Sequence, residues 1–161
     1  MQEHLIIDGN NALHAIPELA CELKQDRSRA RQSLLHFLEP LGAISDSLLT
    51  VVFDGRGGPQ SVSKHRGMEG YTVIYSSSVE GADGVIERML MAAKRPGNIV
   101  VVTNDSLIRN CAYAHGASAM KIEEVPKKLD FTIERVSRIR SRLPISKSNK
   151  DKFENKIPFP D

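Results

Sequence analysis

The sequence contains few of the residues that build covalent cross-links or zinc sites. Its 161 residues include no tryptophan and only two cysteines, Cys21 and Cys111, which are far apart and form no CxxC motif. Disulfide frameworks and structural zinc sites need more cysteines at closer spacing, so the sequence excludes both. We interpret both cysteines as reduced, buried structural thiols.

Motifs that bind nucleotide cofactors are also missing. The GRGG stretch at 55–58 lacks the GK[ST] ending of a Walker loop, and GxGxxG occurs nowhere in the chain. No two of the five histidines have the spacing of a metal-ligand pair. The sequence therefore predicts no nucleotide cofactor, and we interpret His65, between Lys64 and Arg66, as part of a basic loop.

Long apolar runs are absent. None approaches the ~20 residues that a membrane-spanning helix requires. Glu3 and His4 stand where a secretory signal would carry positive charge. We therefore expect a cytoplasmic protein with no membrane partner. The chain is 161 residues long and 40% hydrophobic, which is enough for one globular domain.

The charge is low but unevenly distributed. The formal net charge is +2, which alone predicts no nucleic-acid partner. Residues 121–161 hold 11 of the 22 Lys and Arg but 7 of the 20 Asp and Glu. The excess of positive charge therefore lies at the C-terminal end of the chain.

Four apolar runs have the length of strands. They lie at 5–8, 48–54, 71–75 and 98–105. These runs are rich in β-branched residues and nearly continuous, which is typical of parallel strands covered on both faces. Segments with helical periodicity separate or follow them, at 27–39, 82–94 and 105–115. The alternation predicts an α/β fold with three layers, α/β/α, around a central, mostly parallel sheet.

Two segments have the composition of irregular structure. Residues 54–67 are rich in glycine, serine and basic residues and predict a mobile surface loop. The last 18 residues contain three prolines and many charges and predict a poorly packed tail. We therefore place one domain at 1–143 and the tail at 144–161.

Residues 123–143 predict an amphipathic helix. Its apolar positions share one face, and Arg135, Arg138 and Arg142 cluster on the opposite side. We call these three arginines the basic ridge. They predict either an ordinary solvated helix face or a surface that contacts RNA phosphates.

Acidic residues stand where several predicted strands end. Asp8, Asp54 and Asp105 each close an apolar run. Asp83 lies in the first turn of the helix that follows another strand, and Glu87 lies one helical turn further on. Because the carboxyl ends of parallel strands open into one crevice, we expect these acids to lie together.

A cluster of carboxylates predicts a metal site. Crowded acids raise one another's pKa, and a divalent cation removes the repulsion between them. A set of oxygen ligands without His or Cys selects Mg²⁺ or Mn²⁺ over zinc, and such ions activate water and stabilise charge on a phosphodiester. Each acid alone could instead begin a turn or cap a helix. Asn11 could fix a loop, or bond a ligating carboxylate or a phosphate oxygen.

These residues resemble the YacP-like branch of the NYN domains, which are bacterial ribonucleases related to PIN domains. The matching stretches are, in chain order, LIIDGNNALH, VVFDG, GADGVIE and VVTND, and an arginine-bearing helix like DFTIERVSRIRSRL follows. The resemblance spans about residues 4–143. Four such stretches in order at similar spacing are fairly specific.

The resemblance implies a PIN-like α/β/α fold and endoribonuclease activity that depends on Mg²⁺ or Mn²⁺. For some family members it also implies association with ribosomes and cleavage of mRNA there. The acids of this chain that match those most tied to activity are Asp8, Asp83 and Asp105. Further matching positions are Asp54, Glu87 and Asn11.

Two positions depart from the family's pattern. Asn10 stands where the family often has an aromatic residue, and Gly84 stands where a second acid often follows Asp83. The first changes how a base or a loop is held, and the second leaves the acidic cluster with one charge fewer.

The leading hypothesis is a metal-dependent endoribonuclease. Asp8 and Asp105 bind the catalytic metal, Asp83 completes the ligand set or holds a second ion, and Asp54 or Glu87 orients the attacking water. Hydrolysis then leaves a 3′-hydroxyl and a 5′-phosphate.

Two alternatives stay open. A phosphatase that forms an aspartyl-phosphate on Asp8 is one, but its usual partner acid two residues later is here Asn10. The other is a non-catalytic RNA- or ribosome-binding protein that uses the basic ridge and residues 54–67.

Overall fold

A computed structural model of the chain describes residues 2–44, 46–55 and 57–142. Its sheet has six strands: β1 (Glu3–Asp8), β2 (Ser47–Phe53), β3 (Ser61–Lys64), β4 (Tyr71–Tyr75), β5 (Ile99–Val102) and β6 (Ser118–Met120). The helices of the described residues are α1 (Gly9–Ala15), α2 (Pro17–Gln25), α3 (Arg27–Phe37), α4 (Glu39–Gly42), α5 (Gly81–Ala92), α6 (Ser106–Ala114) and α7 (Val125–Arg142).

The strand order is β3-β4-β2-β1-β5-β6, and all neighbours pair in parallel except β3 with β4. From β1 the chain proceeds through β2 to β4 on one side, and β5 and β6 lie on the other side. The carboxyl end of β1 is therefore the switch point of the sheet, the place where open α/β sheets bind ligands.

The sheet separates two apolar cores, because successive strand residues point to opposite faces. On one face Leu5 and Ile7 of β1 pack with the buried residues of α1–α4, α7 and neighbouring strands. On the other face Ile6 packs with the buried residues of α5 and α6. Helices thus cover both faces, and the predicted three-layer α/β/α fold with a mostly parallel sheet is confirmed.

The segment 54–67, for which the composition predicted a mobile loop, contains regular structure over residues 61–67. Ser61–Lys64 forms β3, the antiparallel edge strand, and His65 begins a short 3₁₀ turn. His65 is buried, its Nε2 lies 2.9 Å from Glu39 Oε2, and its ring packs on Tyr71. All four β3 residues are exposed, so the strand carries no buried apolar positions to reveal it in the sequence.

Several shorter elements also differ from the sequence predictions. The run at 98–105 is a strand only over Ile99–Val102, because Asp105 caps α6 instead. The helices α1 and α2 and the three-residue strand β6 were not predicted. Both cysteines are free, but Cys21 is exposed where we predicted a buried thiol.

Chain contacts divide the protein inside α7, into Met1–Leu129 and Asp130–Asp161. The first unit contains the sheet and both cores. In the second, the described residues continue the predicted amphipathic helix, although Ile133 of its apolar face is 52% exposed. Residues 143–161, which include the predicted tail, lie outside the described part of the chain. The predicted domain boundary at 143 stays a prediction.

Across the described residues, no helix is both long enough and apolar enough to cross a lipid bilayer.

Gly55 allows the close approach of two segments beside Asp54. A Cβ at this position would overlap the backbone carbonyl oxygen of Ser76, whose hydroxyl oxygen accepts a hydrogen bond from Gly55 N–H at 3.2 Å. We expect Gly55→Ala to lower the free energy of unfolding by about 1–3 kcal/mol, since backbone atoms must shift. Urea denaturation measures the change.

The control for this measurement is Gly97→Ala, where an added Cβ meets nothing within 4 Å. We expect this substitution to change the free energy of unfolding by less than about 0.5 kcal/mol. Equal effects of the two substitutions would show that the contact between Gly55 and Ser76 is not a tight one.

Candidate functional site

Asp8 is the last residue of β1 and is only 5% exposed. Its Oδ2 accepts a hydrogen bond from the Thr103 hydroxyl at 3.0 Å, and its Oδ1 accepts a long one from Asn11 N–H at 3.4 Å. Burial raises the pKa of Asp8 from an ordinary 3.8 to about 6, although both hydrogen bonds oppose the shift. The end of β1 therefore places the Asp8 carboxyl group in a buried environment that disfavours its negative charge.

Asp54 directly follows β2 at the same edge of the sheet. Its Oδ1 accepts a hydrogen bond from Ala82 N–H at 2.8 Å, in the first turn of α5. Its Oδ2 accepts a 2.6 Å hydrogen bond from the Asn10 side-chain amide. Protein groups therefore donate to both oxygens of this carboxylate.

Asp83 lies in the first turn of α5 and is exposed. Among the described residues, none donates a hydrogen bond to its carboxylate. Partial burial raises the pKa of Asp83, and the charges of Asp105 and Asp54 raise it further. Asp83 is thus an acid without a protein donor, beside two other acids.

Asp105 caps α6, and its Oδ1 accepts a hydrogen bond from Leu107 N–H at 2.9 Å. Glu87 is exposed on α5, one helical turn beyond Asp83. Both Asp83 and Glu87 line a groove of about 200 Å³ between α5 and α6, with Leu107 and Cys111 on its other side. Burial and the charge of Glu87 raise the pKa of the Cys111 thiol.

The four aspartates act on one another electrostatically. The charges of Asp83 and Asp54 raise the pKa of Asp8, and those of Asp105 and Asp54 raise the pKa of Asp83. Asp83 is therefore coupled to all three others. We call Asp8, Asp54, Asp83 and Asp105 the aspartate cluster. The structure brings these predicted site residues together, and Glu87 lies next to them.

Thr103 is a site residue that the sequence analysis missed. It is fully buried, and its hydroxyl oxygen accepts a hydrogen bond from Asp105 N–H at 3.1 Å. Because that oxygen accepts from Asp105, its own hydrogen is available for Asp8. One hydroxyl thus connects the end of β1 to the start of α6, and the threonine within VVTND was the signal in the sequence.

Asn11 fixes a loop of the site instead of bonding a carboxylate with its side chain. Its Oδ1 accepts a 2.7 Å hydrogen bond from Asn104 N–H, which lies between Thr103 and Asp105. The Asn104 side chain continues the network, because its Oδ1 accepts from Ile122 N–H at 2.8 Å. The Asn11 side chain therefore fixes this loop, and the expected contact of Asn11 with a phosphate oxygen of the substrate stays a prediction.

The two residues that depart from the family's pattern, Asn10 and Gly84, both lie beside charged side chains. Asn10 donates its amide hydrogen to Asp54, and its Oδ1 is buried without a hydrogen-bond partner among the described residues. A Cβ at Gly84 would contact the side chain of Glu80, whose carboxylate forms a two-pronged pair with Arg88. The side chain of Glu80, whose charge is paired with that of Arg88, thus occupies the space beside Gly84.

The basic ridge belongs to the second unit of the chain. Arg135 and Arg138 are exposed, and Arg138 Nη2 lies 3.4 Å from Glu134 Oε2, one helical turn away. The Arg142 side chain lies outside the described part of the structure. Exposed ion pairs of this kind contribute little to stability, so Arg138 can exchange this partner for another.

The aspartate cluster offers the donor chemistry of a hard divalent cation, but not a ready set of ligands. No three His, Cys, Asp or Glu side chains of the described residues stand close enough to form a ready metal-binding group. Mg²⁺, however, keeps several waters and is usually bound through only one or two carboxylates. The all-oxygen donor set and the carboxylate of Asp83, to which no described residue donates, suit such an ion with its waters.

The raised pKa of Asp8 predicts a dependence of stability on pH. The folded protein retains a proton on Asp8 up to about pH 6, whereas the unfolded chain loses it near its ordinary 3.8. Stability therefore falls as the pH rises through this window, by about 3 kcal/mol in total. Asp8→Asn removes this effect.

We therefore expect Asp8→Asn to gain stability over the wild type by about 3 kcal/mol between pH 4 and pH 7. Urea denaturation in EDTA at several pH values measures this gain. If the two proteins give parallel curves, Asp8 does not titrate in this window.

The comparisons with known proteins identify the family and the fold of the chain. The model of the YacP-like NYN domain matches residues 5–158. A crystal structure of Rae1 (YacP) from Bacillus subtilis has 25% sequence identity and a TM-score of 0.66, with 98% of this chain and 88% of that chain covered. A tryptophan-to-leucine mutant of the same protein has the same identity and TM-score, with 92% and 89% covered.

No curated protein is significantly similar to the chain in sequence. The family match nevertheless covers nearly the whole chain, including β1 with Asp8 and α5 with Asp83. The chain belongs to the YacP-like NYN domain family.

Proposed function

We propose that this protein is an endoribonuclease that uses Mg²⁺ or Mn²⁺ to hydrolyse phosphodiester bonds in RNA. The observation that carries the proposal is the aspartate cluster, in which four acids from four segments meet at the switch point and neighbouring charges add to the raised pKa of Asp8 and of Asp83. Membership of the YacP-like NYN family supports a nuclease that acts on RNA.

Asp8, Asp83 and Asp105 are the residues that would hold the ion, with Glu87 as a further ligand. Of the three aspartates, Asp83 is the one to whose carboxylate no described residue donates, which leaves both its oxygens available to a cation. When bound, the ion would lower the pKa of water and offset negative charge on the phosphate.

The surrounding residues hold these carboxylates in place. Thr103 orients Asp8, and Asn11 fixes the loop that leads to Asp105 through its bond to Asn104 N–H. Such support matters because a misplaced catalytic group loses much of its effect. Glu87 is exposed and is free to orient an attacking water, with a 3′-hydroxyl and a 5′-phosphate as products.

The geometry does not favour a phosphatase that forms an aspartyl-phosphate. Asp8 is 5% exposed and both its oxygens accept hydrogen bonds, so it is poorly placed to attack a substrate. Asn10, at the position of the usual partner acid, donates to Asp54 and cannot supply a proton in the same way.

A non-catalytic RNA- or ribosome-binding protein remains the alternative. It predicts retention of RNA without cleavage in the presence of Mn²⁺. The ribosome itself is a proposed partner, and co-sedimentation of the protein with ribosomes tests that proposal separately from cleavage.

We expect Asp8→Asn to lower the rate of RNA cleavage by about a thousandfold. Loss of a metal ligand removes several kcal/mol of transition-state stabilisation, and each ~1.4 kcal/mol is a factor of ten. Single-turnover cleavage of structured and unstructured RNA in Mn²⁺ measures the rate, and EDTA should stop cleavage by the wild type.

The matched control is Asp26→Asn, which removes an acid outside the aspartate cluster. Asp26 caps α3 by accepting from Arg29 N–H at 3.2 Å, a bond that asparagine can also accept. This variant should cleave at the wild-type rate. Metal-dependent cleavage by Asp8→Asn at that same rate would contradict the assignment of Asp8.

The basic ridge generates a separate prediction about affinity. Arginine contacts to phosphate carry no sequence information, and each steepens the salt dependence of binding to single strands by about 0.7. Replacing Arg135, Arg138 and Arg142 with glutamine should therefore weaken binding to every RNA and reduce the salt slope by about two. The single-turnover rate at saturating RNA should stay near that of the wild type.

The control variant replaces Lys24, Arg27 and Arg29 with glutamine, which removes the same net charge from α2 and α3. It should leave the salt slope unchanged. If both variants behave alike, the ridge is an ordinary solvated helix face.

A further inference from the structure

Three contacts hold Asp54 at the end of β2. Besides the bonds from Asn10 of α1 and Ala82 of α5, its backbone carbonyl oxygen accepts from Arg31 Nη2 of α3 at 3.5 Å. The Arg31 guanidinium is buried and lies over the ring of Phe53, the residue before Asp54. Asp54 is therefore tied to three helices.

The bond to Ala82 compensates for a missing helix cap. The first N–H groups of a helix have no partner within it, and a side chain at the N-cap position usually accepts one of them. The N-cap residue of α5, Glu80, makes no such bond, because its carboxylate pairs with Arg88. Asp54 accepts from Ala82 N–H instead, and Ala82 is the residue directly before Asp83.

The carboxylates of Asp54 and Asp83 differ in the hydrogen bonds that they accept from the protein. Both Asp54 oxygens accept short hydrogen bonds from protein groups, at 2.6 and 2.8 Å. By contrast, the bond to Asp8 Oδ1 is long, at 3.4 Å, and no described residue donates to Asp83. We propose that Asp54 is a positioning residue and not a metal ligand: together with Asn10 it fixes the first turn of α5 and so places Asp83 opposite Asp8 and Asp105. This role rests on the proposed function, since it concerns the site that binds the metal.

The unpartnered oxygen of Asn10 makes the proposal testable. In Asp54→Asn, the oxygen of the introduced amide can still accept from Ala82 N–H. Its NH₂ group can donate to Asn10 Oδ1 once the Asn10 amide has rotated, and that oxygen has no hydrogen bond to lose. A neutral amide can therefore retain both contacts, whereas it cannot replace a carboxylate as a strong ligand.

The experiment compares Asp54→Asn, Asp54→Ala and Asp83→Asn. Calorimetric titration with Mn²⁺ alone gives metal affinity, single-turnover cleavage gives activity, and urea unfolding in EDTA gives a midpoint without metal. We expect Asp54→Asn to stay within about tenfold of the wild type in affinity and rate. Asp54→Ala should lose about 10–100-fold in both and unfold at lower urea. Asp83→Asn should lose metal binding with little change of midpoint.

One result would overturn the proposal directly. If Asp54→Asn has the midpoint of the wild type but loses Mn²⁺ affinity as fully as Asp83→Asn, the negative charge of Asp54 itself is required, and Asp54 is a ligand. If Asp54→Ala does not fold, Asn10→Ala replaces it. We expect Asn10→Ala as a single substitution to lower the affinity for Mn²⁺. In the Asn10→Ala background, Asp54→Asn should no longer retain an affinity close to that of the wild type.

The unfolding data separate this proposal from the proposed function. If Asp54→Asn and Asp54→Ala unfold at the same urea concentration, Asp54 does not position α5, whatever the protein does to RNA. If the midpoints differ as expected but the wild type neither binds Mn²⁺ nor cleaves RNA, the proposed function fails and the positioning of α5 by Asp54 stands.

Discussion

The parallel pairing of β1 with both β2 and β5 determines where the first carboxylate lies. Residues 4–7 of β1 pair with both neighbouring strands, and Asp8, the next residue, pairs with Val52 of β2. Since the residues before it point alternately into two apolar cores, Asp8 cannot turn towards solvent without breaking this register. The rest of the site is arranged around that fixed, buried group.

A buried acid among other acids is electrostatically unfavourable, and the structure offsets this only in part. Thr103 and Asn11 donate to Asp8, yet its pKa still rises to about 6. Sites of function often retain such unfavourable charges, because a ligand of opposite charge relieves them. Under the proposed function the stability of the protein and its affinity for a cation would be linked, because a bound ion would offset the burial and the neighbouring charges that disfavour the Asp8 carboxylate.

Much of the fold could be predicted from the sequence, because buried parallel strands leave a strong local pattern. The β-branched runs that form β1, β2, β4 and β5 are apolar whichever face they present. By contrast, β3 is exposed at all four positions, and it is a strand only because β4 is there to pair with it. Although β4 follows closely in the chain, the four exposed residues of β3 give no apolar pattern that would reveal the pairing.

The sequence by itself determined which acids meet, since Asp8, Asp54, Asp83 and Asp105 follow elements whose direction in a parallel sheet is fixed. Only the tertiary structure decided which hydrogen bonds each acid accepts. Thr103 reaches Asp8 across 95 positions, and Asn10 reaches Asp54 across 44. Such hydrogen bonds depend on distances of about 3 Å between segments that only folding brings together. Whether a carboxylate accepts hydrogen bonds from the protein, as Asp54 does, or, like Asp83, has no such donor among the described residues, therefore depends on tertiary contacts that the sequence does not show.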